Sequence, residues 1–174
     1  MKIKRIILSV SLVSLVVIVW PTALAEKKYA YQLTSDITPI ILPVIKNIEK
    51  KIEINLSRQN LALWENDKKI AEYIVSTGKK STPTKTGSFS VISIYPTAYG
   101  GDAAMTWGMP YFLGIYVAGG QENGIHELPF INGWRESSAD LGYPVSHGCV
   151  RLPIGKAELV YNWAEIGTPV NIHY

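Results

Sequence analysis

Lys51-Ile52-Glu53-Ile54-Asn55-Leu56-Ser57 is the stretch that decides the fold. Ile52, Ile54 and Leu56 alternate with Glu53, Asn55 and Ser57, and a period of two puts the first set on one face of a strand and the second on the other. The same reading continues downstream: a turn over Ser57 to Gln59, a strand from Asn60 to Glu65, a tight hairpin turn at Asn66-Asp67, and a third strand from Lys69 to Ser76. Gly78 to Gly87, with Pro83 and several Ser, Thr and Lys residues, reads as a polar loop, and Ser88 to Tyr95 as the next strand. Residues 96–110 mix glycine with Tyr99, Trp107 and Met109-Pro110 and read as a loop long enough to be functional. Tyr111 to Val117 is then a strand, Ala118 to Asn123 its turn, Gly124-Ile125-His126 the start of the return strand, and Glu127 to Tyr143 a second loop. Pro153 suits the first turn of a helix through Trp163, with Ala157, Val160, Tyr161 and Ala164 at helical spacing, and Thr168 to His173 closes the domain as a strand. About eight strands and one helix make a mainly β domain.

Upstream of this region the chain changes character. A basic start at Lys2, Lys4 and Arg5 precedes an apolar run from Ile6 to Trp20, then Pro21 and the small-residue pair in Ala23-Leu24-Ala25. That order is an export signal over residues 1–25, with cleavage expected before Glu26; an uncleaved membrane anchor is the rival reading. Residues 26–50, interrupted by Pro39 and Pro43, form a lead-in segment, and 51–174 form the domain itself. The three leader cations equal the whole net charge of +3, so the remainder is balanced. Nothing in the body supplies the clustered positive charge that phosphate neutralisation requires, which argues against a nucleic-acid partner. The expected site of action is the periplasm or cell envelope.

One cysteine in an exported chain cannot form an internal disulfide. Cys149 is that cysteine, and its surroundings, Val145-Ser146-His147-Gly148-Cys149-Val150-Arg151-Leu152, crowd it with polar and glycine positions where a core strand would place apolar ones. This favours a reactive thiol over a buried one. A thiol nucleophile needs a base, and His126 and His147 are both candidates. Gly148 leaves the backbone free to turn N–H groups toward a developing oxyanion. Arg151 can place a cation beside the pocket to hold a substrate carboxylate through two parallel hydrogen bonds.

These residues resemble the L,D-transpeptidase (YkuD-like) catalytic domain of bacterial cell-wall enzymes. The family motif, a histidine, a spacer and then Ser/Thr-His-Gly-Cys, an apolar residue and Asn or Arg, reads here as His126, a 19-residue spacer, and Ser146-His147-Gly148-Cys149-Val150-Arg151. The likeness extends to Ile54-Asn55-Leu56, Leu61 to Asn66, Ser76-Thr77-Gly78, Thr82 to Gly87 and Met109-Pro110-Tyr111-Phe112, and so runs from about residue 52 to the end. It implies a β-sandwich-like fold with one helix after the cysteine, and a cofactor-free, metal-free transferase acting on peptidoglycan stem peptides. Cys149 would be the nucleophile, with His126, His147 and Gly148 beside it and Arg151, Ser146, Tyr111 and Met109 toward substrate. The donor would lose its fourth-position D-alanine through a thioester. The acceptor would be the amine of a second stem, giving a 3-3 cross-link, or a free D-amino acid, an envelope lipoprotein, or water, the last giving an L,D-carboxypeptidase. Acylation by carbapenems is expected as well.

Two departures from the motif stand out. The spacer exceeds the family's usual length of about 14 to 17, which places an insertion in Leu128 to Asp140 that could alter substrate choice. Glu127 follows His126 where glycine or serine is common; its carbonyl can still hold the imidazole, and its charge is expected to raise the base's pKa. Competing readings are a catalytically silent glycopeptide-binding domain, a general cysteine protease, and a zinc site from His126, His147 and Cys149, for which no fourth donor is evident.

Overall fold

The computed structural model describes residues 48–101 and 104–174. The expected leader, 1–25, and nearly all of the lead-in lie outside the described residues.

Two sheets enclose one core. The first contains β1 (Lys50–Asn55), β2 (Asn60–Glu65), β3 (Lys68–Ile74), β4 (Gly87–Ser90) and β11 (Pro169–His173), in the order β3-β2-β1-β11-β4. The second contains β5 (Ser93–Gly101), β6 (Thr106–Ala118), β7 (Gln121–Glu127), β8 (Phe130–Ile131), β9 (Trp134–Arg135) and β10 (Val150–Leu152). It runs β10-β7-β6-β8-β9, with β5 also paired to β6. Among the described residues one α-helix, α1 (Lys156–Trp163), packs on β6, β7 and β10.

The alternation that opened the sequence reading has a direct structural meaning. Ile52 and Ile54 are fully buried and lie opposite Leu63 and Leu61 of β2 and Val170 and Ile172 of β11, all core residues. The second sheet meets them with Leu113 and Ile115 of β6, Ile125 of β7, and Val150 and Leu152 of β10, while α1 adds Ala157 and Val160. Burying that many branched side chains is the main drive to fold. Asn66 adopts φ 54°, as the tight β2–β3 turn requires.

The strand expected over Ser88 to Tyr95 is two strands that belong to different sheets. Between them Val91 N–H bonds Thr168 O (2.9 Å) and Ile92 N–H bonds Gly114 O (2.8 Å), so the chain passes from one sheet to the other at this dipeptide.

The expected loop over 96–110 is strand over 96–101 and 106–110, paired with each other so that Tyr99 lies opposite Gly108 and Gly100 opposite Trp107. The glycines hid the period of two, because they carry no side chain of their own and take cover from neighbours, Gly100 from Met109 and Gly108 from Tyr99. A Cβ at Gly108 would lie 3.6 Å from the Tyr99 ring and 3.8 Å from Phe130 Cβ. The expected loop Glu127 to Tyr143 likewise contains the β8–β9 hairpin, turned by Asn132 (φ 49°) and Gly133 (φ 84°), and a short 3-10 turn, Ser138–Asp140. Strands of two residues are too short to display a period. Among the described residues the count is therefore eleven strands. The return strand β7 starts at Gln121 and places His126 near its end, not its start. The helix begins at Lys156 because Gly155, at φ 75°, separates it from Pro153.

Candidate active site

The site is built where β7 and β10 run side by side. Their parallel register sets Arg151 opposite His126 and Val150 opposite Ile125, which brings the residue just before β10, Cys149, to the wall occupied by β7. An open cleft of about 750 Å³ lies over this junction, and Cys149, His126, His147, Gly148, Arg151 and Met109 all line it.

Ser146 ties down the segment that carries the thiol. Fully buried, it accepts at its carbonyl from Lys79 N–H (3.0 Å) and Thr82 Oγ1 (3.1 Å), while its own N–H donates to Thr77 O (2.9 Å). Its hydroxyl accepts from Gly148 N–H (3.1 Å) and donates to Cys149 O (2.6 Å). Ser146 thus shapes the loop from behind and does not line the cleft.

Gly148 follows at φ 123°, and a Cβ there would lie 2.4 Å from Asn123 Oδ1, so backbone conformation and space both demand glycine. Its carbonyl is held by two hydroxyls, Thr84 Oγ1 at 2.8 Å and Tyr116 at 3.2 Å. Tyr116 in turn accepts from Lys85 N–H (3.1 Å), and Thr84 from Gly78 N–H (2.8 Å). In a trans peptide the C=O and the following N–H point in opposite directions. Fixing the Gly148 carbonyl therefore fixes the direction of the Cys149 N–H. Neither Thr84 nor Tyr116 was singled out from the sequence, since nothing in linear order relates them to Gly148.

His126 is buried and stacks on Phe112, with ring centroids 6.0 Å apart. Its Nδ1 lies 2.6 Å from Glu127 O. A carbonyl only accepts, so Nδ1 carries the hydrogen and the neutral ring leaves Nε2 as a base. Burial, countered in part by that bond and reinforced by the Arg151 charge, lowers the His126 pKa to about 4. The expectation that Glu127 raises it is overturned. The Glu127 carboxylate is turned away, onto Arg135 Nη1 (2.6 Å) and Gly155 N–H (2.7 Å), and only its carbonyl reaches the imidazole. Burial pushes the Cys149 thiol up, opposed by a backbone hydrogen bond from Gly124 and by Arg151. With the thiol raised and the imidazole lowered, both groups rest uncharged near neutral pH.

His147 is placed differently. Its Nε2 is 3.2 Å from Lys79 Nζ, which donates to it, and its ring meets Trp107 edge-on at 4.9 Å. Burial, Lys79 and Arg151 all lower its pKa. Arg151 is 2% exposed, donates from Nη1 to Glu136 Oε1 (2.6 Å) and lies over the Trp107 ring at 5.3 Å. A two-pronged substrate clamp would have to displace Glu136, which belongs to the inserted spacer. Met109 and Trp107 line the cleft, whereas Tyr111 does not; its ring packs edge-on against Tyr161 of α1 at 5.7 Å. Among the described residues no group of three or more His, Cys, Asp or Glu side chains gathers as a metal set.

Two packed sheets that present a lone thiol in a cleft, beside a strand whose buried imidazole is held by a backbone carbonyl, define a cysteine-centred β domain. Residues 49–172 match the YkuD family model, the L,D-transpeptidase catalytic domain, and the chain belongs to that family. A Bacillus licheniformis protein provisionally named L,D-transpeptidase YkuD is 29% identical over 116 residues, 65% of this chain and 61% of that protein. Among solved structures, an L,D-transpeptidase from Mycobacterium smegmatis superposes with a TM-score of 0.62 at 19% identity, covering 73% of this chain and 59% of that one. L,D-transpeptidase 3 from Mycobacterium tuberculosis, in complex with a faropenem-derived adduct, gives 0.61 at 19%, covering 73% and 61%. At these identities the structural likeness establishes the fold. This chain spans about three fifths of the length of each of these relatives.

Proposed function

We propose that the protein is an exported L,D-transpeptidase that acts on peptidoglycan stem peptides through a thioester on Cys149. The observation that carries the reading is a single cleft lined by Cys149 and by a neutral imidazole held at Nδ1 by Glu127 O, with a Gly148 carbonyl bonded by two hydroxyls that fixes the direction of the Cys149 N–H. His126 Nε2 takes the proton of Cys149 as the sulfur attacks the carbonyl of the third stem residue. The Cys149 N–H faces the oxyanion. The C–N bond to the fourth-position D-alanine then breaks, and the same proton passes from His126 to the leaving amine. An acceptor amine resolves the thioester and gives a 3-3 cross-link or another amide. His147 is the weaker candidate for base, because Lys79 already occupies its Nε2 and its ring supports Trp107. An envelope lipoprotein is a further acceptor class, and export to the periplasm or cell envelope follows from the leader expected over 1–25.

The test is mass spectrometry of the protein incubated with disaccharide-tetrapeptide, beside Cys149→Ala. A dimer that has lost one D-alanine, absent from the variant, is the expected product. Tripeptide monomer alone would assign water as the acceptor, and an unchanged substrate would overturn the proposal.

A further inference from the structure

The cleft has a charge polarity that the donor half of this chemistry does not use. The 78–87 loop supplies Lys85, which lines the cleft, and Lys79, which touches His147. β7 supplies Glu122 to the same lining.

That carboxylate is held in a prepared seat made by three adjacent strands. Ser93 of β5 donates its hydroxyl to Glu122 Oε1 at 2.6 Å. Gly114 of β6, opposite Ser93 in the register, leaves the floor of the seat empty. A Cβ at Gly114 would lie 1.9 Å from Glu122 Oε1 and 2.3 Å from Ser93 Oγ, so any other residue would expel the pair. Among the described residues Glu122 makes no ion pair, and its Oε2 has no hydrogen-bond partner. A carboxylate on a cleft-lining residue, with one oxygen fixed and the other unpartnered, is arranged to accept from a cation.

Glu122 is a burden to the first half-reaction, because its charge pushes the Cys149 thiol up and so disfavours the thiolate. The burden ends when the sulfur is acylated, since a thioester carries no charge to repel. What enters the cleft next, on the reading given above, is an amine that is an ammonium ion in water. Lys85 repels that ion and Glu122 attracts it.

We propose that Glu122, oriented by Ser93 over Gly114, is the docking group for the ammonium of the acceptor, which makes the physiological acceptor a primary amine and not water. The inference rests on the transpeptidase reading. Once docked, the ammonium releases one proton to solvent and its nitrogen attacks the thioester carbon. The N–C bond forms, the C–S bond breaks, and a second N–H proton passes through His126 Nε2 to the departing sulfur, which restores neutral thiol and neutral imidazole. Water carries no charge for Glu122 to hold, so hydrolysis gains nothing from the seat.

The experiment measures binding, independently of turnover, in the Cys149→Ala protein. The probes are an N-acetylated stem tripeptide with a free side-chain amine on its third residue and the same tripeptide with that amine acetylated, titrated by calorimetry. The free amine is expected to bind about tenfold tighter, the value of one charge-assisted hydrogen bond at a half-exposed site. Glu122→Gln, which keeps the acceptor for Ser93, removes that preference, while Glu122→Asp restores part of it and added salt weakens it. Equal affinities for the two probes, no measurable binding of either, or a parallel loss of both in Glu122→Gln would each overturn the proposal. Failure of the transpeptidase reading has a separate signature: wild-type protein that forms no covalent adduct on Cys149 with a tetrapeptide donor.

Discussion

Acidification tests the buried imidazole most sharply. His126 is protonated at about 4 in the folded protein, against an ordinary value of 6.5. Between those values the unfolded chain binds a proton that the folded chain refuses, so stability is full above pH 6.5, falls as pH drops through the window, and levels off below about 4. At about 1.4 kcal/mol for each pH unit of that gap, the full loss is roughly 3 kcal/mol, most of it reached by pH 4.5. Urea unfolding at steps between pH 8 and 4.5, on wild type and on His126→Gln, isolates the effect, since the carboxylates and the other two histidines are common to both. His126→Gln should start less stable, with its imidazole–carbonyl bond gone, and then lose less on acidification, by 2 to 3 kcal/mol at about pH 4.5. The same cause sets the acid limb of donor acylation near pH 4 to 5 and not near 6.5. Parallel pH dependences in the two proteins, or an acid limb at 6.5, would refute the argument.

Removing either hydroxyl that holds Gly148 O, in Tyr116→Phe or Thr84→Val, should slow acylation of Cys149 by about ten- to a hundredfold in single-turnover mass spectrometry, at a stability cost of about 1 kcal/mol. The double variant should lose little more than the worse single one, because both hydroxyls act on one peptide group. Gly148→Ala sets a Cβ against Asn123 and strains a positive φ. Its acylation by a carbapenem, read as an intact-mass shift absent from Cys149→Ala, should fall below detection. Glu136→Leu strands the buried Arg151 charge and should lower stability by about 3 kcal/mol in urea. Cleavage of casein by the wild-type protein would restore the general cysteine protease reading.

What was legible in the sequence is what local rules encode. The alternation from Ile52 to Ser57, the Asn66-Asp67 turn and the helical spacing of Ala157 and Val160 each report burial through period alone, and each is realised. The nucleophile candidate and His147 stood out because Ser-His-Gly-Cys is contiguous, and His126 through the family motif that places a histidine upstream of that run. Periodicity failed where glycines borrow cover from neighbouring strands, as Gly108 does from Tyr99 and Gly100 from Met109, and where strands are two residues long, as at β8 and β9. It also gave the wrong electrostatics for Glu127, since neighbours in sequence point to opposite faces of a strand: the carboxylate leaves for Arg135 while the carbonyl stays with His126.

The sequence by itself determined a mainly β domain with one helix, and the residue types a thiol acyl transfer needs. Only the tertiary structure decided which groups meet. The parallel register of β7 and β10 sets position 126 beside 151 and so brings 126 and 149 to one cleft, Thr84 and Tyr116 converge on Gly148 O from separate segments, Arg151 is matched by Glu136, and Ser93 aims Glu122. The physical reason is range: side-chain period is set by neighbours two to four residues away, whereas these contacts close loops of tens of residues and exist only once the shared core has formed.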